Sequence, residues 1–150
     1  MTTAKICIPE ILQFRAKLGT GLWRDFDIDG SETLENLAAA ILSAYEFECD
    51  HCYGFYSKLR GNKSDSDEIY ELFADMEGGS YNERAKGVQD TIIREVFSPK
   101  KRMLFLFDYG DNWGFLLTCT GTVKPETGVQ YPHIRGGKGD APEQYPACED

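Results

Sequence analysis

The sequence predicts an α+β fold: a mostly antiparallel sheet with an N-terminal hairpin, one long packed helix at about 33–46, and one or two short helices. Three observations predict it. Between Leu12 and Ile28 apolar residues recur mostly at every second position, the period of half-buried strands. From Leu34 to Tyr45 they recur at every third or fourth, the period of an amphipathic helix. Residues 103–107, Met-Leu-Phe-Leu-Phe, are apolar at every position, as in a central strand covered on both faces.

The elements follow in order. Leu12, Phe14, Ala16 and Leu18 alternate with Gln13, Arg15 and Lys17, and Gly19-Thr20-Gly21 is a turn signal. Leu22, Phe26 and Ile28 then alternate with Trp23, Asp25 and Asp27, which completes a hairpin. Arg24 shares parity with the apolar residues, so it needs a carboxylate partner or a place at the sheet's edge. Ser31 or Thr33 can cap the helix built on Leu34, Leu37, Ala38, Ile41, Leu42 and Tyr45. Residues 51–59 read as a third strand. Ile69, Leu72, Phe73 and Met76 fit a short amphipathic helix closed by Gly78-Gly79. Val88, Ile92, Ile93, Val96 and Phe97 fit another, ended by Pro99. Trp113, Phe115, Leu117 and Cys119 alternate along a further strand. Beyond Lys124 the chain turns rich in Gly and Pro, and Gly136-Gly137-Lys138-Gly139, glycine-rich and basic as an anion-binding loop would be, reads better as a mobile loop.

Composition bounds function. The chain has 150 residues, 41% of them hydrophobic, which suffices to bury the core of one domain spanning 1–150. Asp and Glu outnumber Lys and Arg by 25 to 16, a net charge of −9. That excess speaks against a nucleic-acid partner, whose phosphates are gripped by cations, and against an anionic membrane surface. Residues 61–83 carry seven acids and one base, so −6 of the total sits in one insertion-like segment. No apolar run reaches the length of a membrane span, and residues 1–7 hold no stretch of signal-peptide length; the expected setting is cytoplasmic. Pro99-Lys100-Lys101-Arg102 flanks the apolar strand as charged gatekeepers do.

Several motifs bear on chemistry. Five cysteines at uneven spacing, Cys49 and Cys52 two residues apart among them, form neither a disulfide framework nor a four-ligand zinc set. They are expected to be reduced thiols, and neither a metal nor a cofactor is expected. Asp25-Phe26-Asp27-Ile28-Asp29-Gly30 opens like a calcium loop, but Asn36 stands where the bidentate Glu belongs. Asp108 ends the buried strand, where a carboxylate is costly unless paired. Asp111 sits at the turn after it, and His51 lies within a predicted element. Asp108, Asp111 and His51 are therefore the catalytic candidates. Arg24, Trp113 and Glu143 are the binding candidates.

These residues carry a resemblance to the plasmid pRiA4b ORF-3-like proteins. That family's Trp-Arg strand pair is matched by Trp23-Arg24, its Thr-Leu helix start by Thr33-Leu34 with Leu37, and its His-x-Tyr-x-Phe element by His51, Tyr53 and Phe55. Its hallmark Tyr-Asp-Phe-Gly-Asp-x-Trp is matched by Phe107-Asp108-Tyr109-Gly110-Asp111-Asn112-Trp113. The tail is matched by Gly136, Gly139, Pro142 and Glu143. Where the family usually has Glu-His after that Trp, this chain has Gly114-Phe115. The resemblance implies a single α+β domain found on plasmids and near mobile elements. A resolvase label attached to some members lacks its activated Ser and basic tail here.

Two readings of function follow. The first is a non-catalytic accessory domain that binds an unidentified protein or peptide. The second is a metal-assisted hydrolase using Asp108, Asp111 and His51, with Arg24 orienting an anionic group. The second requires the three side chains to converge.

Overall fold

The alternation between Leu12 and Ile28 produces the predicted hairpin. Strands β1 (Ile11–Gly19) and β2 (Leu22–Asp29) run antiparallel with Phe14 opposite Phe26 and Leu12 opposite Ile28. Gly21 takes the positive φ of the turn, 72°. The structure is a computed structural model that describes residues 10–72, 85–108 and 113–144. The third acid of the calcium-like motif closes the turn that leads from β2 toward the helix: Asp29 accepts from the Ser31 backbone N–H and hydroxyl at 2.9 and 2.8 Å. The first two are paired across strands, Asp25 with Arg15 at 2.8 Å and Asp27 with Arg135 at 2.6 Å.

Helix α1 (Leu34–Ala44) is shorter than the long helix expected over 33–46, at 11 residues. Thr33 is the N-cap, its hydroxyl accepting from the Asn36 N–H at 3.3 Å. The far end is closed by backbone. Glu46 adopts φ 60°, its N–H donates to Ser43 and the Phe47 N–H donates to Leu42. That left-handed step satisfies the last carbonyls and turns Phe47 back into the core. Apolar spacing alone does not register such a stop, because Tyr45 and Phe47 stay buried on either side of it.

The remaining strands are β3 (Tyr53–Tyr56), β4 (Ile69–Glu71), β5 (Lys86–Gly87), β6 (Arg102–Phe107), β7 (Trp113–Val123) and β8 (His133–Lys138). They join the hairpin in one eight-stranded sheet ordered β5-β4-β3-β6-β7-β1-β2-β8. Among the described residues every pairing is antiparallel except β4 with β5. The apolar β6 lies centrally, as its composition predicts.

Three expectations are corrected. Residues 69–71 form a strand, not the start of a helix, because β3 offers them a free edge: Tyr56 pairs Ile69 and Gly54 pairs Glu71. The rest of that predicted helix lies outside the described residues. The stretch from Val88 to Phe97 yields only one turn, α2 (Ile93–Val96), since Ile92 is held extended in a bridge to Thr33. The glycine-rich segment read as a mobile loop is strand β8, paired with β2 from His133 to Lys138.

The sheet has two unlike faces. Toward α1 it presents Leu12, Phe14, Phe26, Phe55, Met103, Phe105, Phe115 and Leu117, all buried with Leu37 and Ile41 in one core. Away from α1 the alternation places Leu104, Leu106 and Leu116, each half-buried, beside Arg15, Lys17, Trp23, Arg102 and Lys138. Three acids of 61–71 have partners close by: Asp65 meets Lys58 at 3.6 Å, Glu68 meets Lys101 at 2.7 Å and Glu71 accepts from the Tyr56 hydroxyl at 2.5 Å. Among the described residues no helix is long and apolar enough to cross a membrane.

Candidate functional site

The β3–β6 register brings two of the three catalytic candidates together. Tyr53 pairs Phe107, so the residues just before β3 meet those just after β6. The Asp108 N–H extends the ladder by donating to the Cys52 carbonyl at 2.9 Å. His51 then stands over the strand end, with Nε2 3.5 Å from Asp108 Oδ2 and 3.8 Å from Asp50 Oδ1. Its ring leans edge-on toward Phe107 at 6.1 Å. Asp108 is 7% exposed, whereas the His51 side chain is 42% exposed, so the pair has one sheltered and one open member. Asp111 lies outside the described residues.

Asp108 is also a backbone outlier, with φ 61°. Asp tolerates this left-handed region better than most residues, and alanine pays a steric penalty there that glycine avoids. Asp108→Ala is therefore expected to be less stable than Asp108→Gly by about 1 kcal/mol. Both lose the carboxylate, so their difference in urea unfolding isolates the backbone. Equal stabilities would mean that the loop relaxes freely.

Trp113 begins β7 opposite Phe107 and packs edge-on against Phe47 at 5.0 Å. Its indole N–H is buried without an acceptor among the described residues. Glu143 is exposed, and its neighbour Gln144 docks the tail. Gln144 accepts from the Glu48 N–H at 2.7 Å and donates to the Glu48 carbonyl at 3.0 Å and to Asp50 at 3.2 Å. Gln144 is thus fastened to the residues that lead into His51. Asp50 and Gln144 are the members that sequence reasoning missed, and no local pattern marks either.

Arg24 is directed elsewhere. Its Nε donates to the Ala44 carbonyl at 3.2 Å, and Nη1 donates to the carbonyls of Trp23 at 2.9 Å and Lys138 at 3.1 Å. Its guanidinium lies 4.9 Å from the centre of the Tyr45 ring. Of the two alternatives expected from sequence, the place beside the sheet's edge is the one used: Arg24 lies next to the terminal strand β8, and backbone carbonyls rather than a carboxylate are its partners among the described residues. Gly137 makes this possible, because a Cβ there would collide with the Trp23 carbonyl and the Arg24 side chain.

A histidine–carboxylate pair can hold and move a proton. Among the described residues no group of three or more His, Cys, Asp or Glu side chains is placed to share a metal ion; His51 and Asp108 would supply two donors of the three or four required. Cys49 and Cys52 are free thiols. Burial pushes the Cys49 thiol up, and Asp50 and Glu35 push it further, opposite to what a reactive thiolate needs.

Comparison with known proteins concerns the family and the fold. The profile described as plasmid pRiA4b ORF-3-like protein matches residues 11–145. The crystal structure of a protein of unknown function from Methanosarcina mazei Go1 superimposes with a TM-score of 0.69 at 20% identity, covering 87% of this chain and 70% of that one. At that identity the likeness concerns the fold. A comparison with curated proteins found no match.

Proposed function

The chain belongs to the plasmid pRiA4b ORF-3-like protein family, and from that footing we propose that its domain is a non-catalytic module that binds a protein or peptide. One observation carries the reading. Strand β8 ends the sheet, all six of its residues are exposed, and a terminal strand offers its outer backbone groups to an incoming chain. An accessory role on a plasmid or other mobile element accords with the family's name and belongs to the same proposal. Selection from a displayed random-peptide library, followed by calorimetric titration of the selected peptides, tests it. Saturable binding supports the reading, and failure to select any binder overturns it.

A second reading is favoured by the 3.5 Å approach of His51 to Asp108: a hydrolase in which this pair handles the proton, assisted by a metal. It expects purified protein supplied with zinc or manganese to cleave phosphoester or peptide substrates. It also expects Asp108→Asn, which keeps a side chain tolerant of positive φ, to abolish that cleavage. Turnover that survives the substitution removes Asp108 from the chemistry.

A further inference from the structure

We propose that β8 accepts an extended peptide of alternating acidic and apolar residues as a ninth strand, its carboxylates on the sheet's outer face. This rests on the peptide-binding reading and names its site and partner chemistry. The register of β8 on β2 assigns the faces. Ile134 lies opposite Phe26 on the inner face and is 46% exposed, an apolar side chain that the core leaves half uncovered. Lys138 lies opposite Trp23 on the outer face, and a bulge between Gly136 and Ile134 sends Arg135 to Asp27 on that same face. A neighbouring strand would set its residues alternately beside Ile134 and beside Lys138.

Charge chooses the acidic partner. The outer face over β1, β2 and β8 carries Arg15, Lys17, Arg135 and Lys138 against Asp25, Asp27 and, past the last residue that β8 pairs, Asp29. The two that face β8 are already engaged by Arg15 and Arg135, and Asp29 is turned to the Ser31 N–H and hydroxyl at the strand's end. Lys138 has no carboxylate partner among the described residues, and its ammonium rests 5.5 Å from the Trp23 ring. This edge is therefore cationic on a chain of net charge −9. The described acids of residues 61–71 belong to the other end of the sheet, around β3 and β4. Antiparallel pairing of β8 with a second copy would set Arg135 and Lys138 against like charges. Nucleic acid would meet the cations but leave Ile134 and the backbone edge unused.

The test titrates the 15N-labelled full chain with a peptide of alternating Glu and Val roughly eight residues long. The expected result is shifted amide signals at residues 133–138, binding that weakens with salt, and loss of binding when alternate peptide nitrogens are methylated. Lys138→Glu should weaken binding about fivefold. Ile134→Lys, a second exposed substitution, should also weaken it while leaving the spectrum of the free protein folded. Equal binding of an alternating Lys and Val peptide, indifference to methylation, or shifts centred on His51 would overturn strand addition here while leaving peptide binding intact. Oligothymidine shifting the same amides more strongly, or the same shifts arising from self-association on dilution, would overturn it as well. If neither these nor the selected peptides bind, the peptide-binding reading falls with it.

Discussion

Arg24→Met is expected to lower the free energy of unfolding by about 2–3 kcal/mol and to release β8 ahead of the rest of the sheet. Methionine keeps an apolar stem of similar reach, so the loss reports the guanidinium rather than the packing. That group holds the last carbonyl of α1 at Ala44, the Trp23 carbonyl on β2 and the Lys138 carbonyl on β8. It thereby links the helix end to the two outermost strands at this edge, and it also complements the negative end of the helix dipole. Hydrogen bonds from a charged donor contribute more than neutral ones, and three acceptors lose their partner together. Urea unfolding with an unchanged m-value should give the stability loss, and hydrogen exchange should show β8 opening first. Arg24→Lys keeps the charge but not the planar fork, and should recover only part of the loss. A change below about 0.5 kcal/mol would place Arg24 among ordinary surface residues.

The difference between what the sequence revealed and what it hid has a physical pattern. The hairpin, α1, β6 and β7 each bury a full periodic face, so their residues carry the signal themselves: Leu12 to Leu18 at period two, Leu34 to Tyr45 near period 3.6. β4 has three residues and β5 two, too few to show any period, and the spacing of Ile69, Leu72 and Phe73 fits a helix equally well. What decides for a strand is the free edge of β3, a tertiary fact. β8 shows no alternation because all its residues are exposed, and its partner β2 is distant in sequence. Arg24 was visible as an anomaly of parity, but its resolution by backbone carbonyls depends on the absence of a side chain at Gly137.

The candidate site divides in the same way. Asp108 could be singled out as a carboxylate at the end of an apolar strand, and His51 as a histidine inside a predicted element. Their approach to 3.5 Å follows from the antiparallel pairing of β3 with β6, which no local motif encodes. Gln144 fastening the tail to Glu48 and Asp50 is further still from local pattern.

A crossing of stabilities at alkaline pH is expected between the parent protein and Tyr45→Phe. Tyr45 is wholly buried beneath Arg24 and donates its hydroxyl to the Ala16 carbonyl at 2.6 Å. Burial pushes its phenol from 10.0 up to about 12, against the opposing pull of the Arg24 charge. The folded protein thus holds a proton that the unfolded chain releases from about pH 10 upward. Between those two values the native state binds more protons, so stability falls as pH rises. The contribution is fully present below pH 10 and is lost progressively toward pH 12, roughly 2–3 kcal/mol in all. Near neutral pH phenylalanine should cost about 1 kcal/mol, the net worth of one hydrogen bond. At about pH 11 the parent has lost roughly 1.4 kcal/mol that the variant never had, so the order reverses there. Every other titrating group is common to both proteins and cancels in the difference. Denaturant curves for the two, measured at intervals from about pH 8 to pH 11.5, should therefore converge and cross. Parallel curves would mean that the Tyr45 phenol ionises with equal ease folded and unfolded. Adding Arg24→Met removes a cation that favours the phenolate, so the fall in stability with pH should extend across a wider alkaline range.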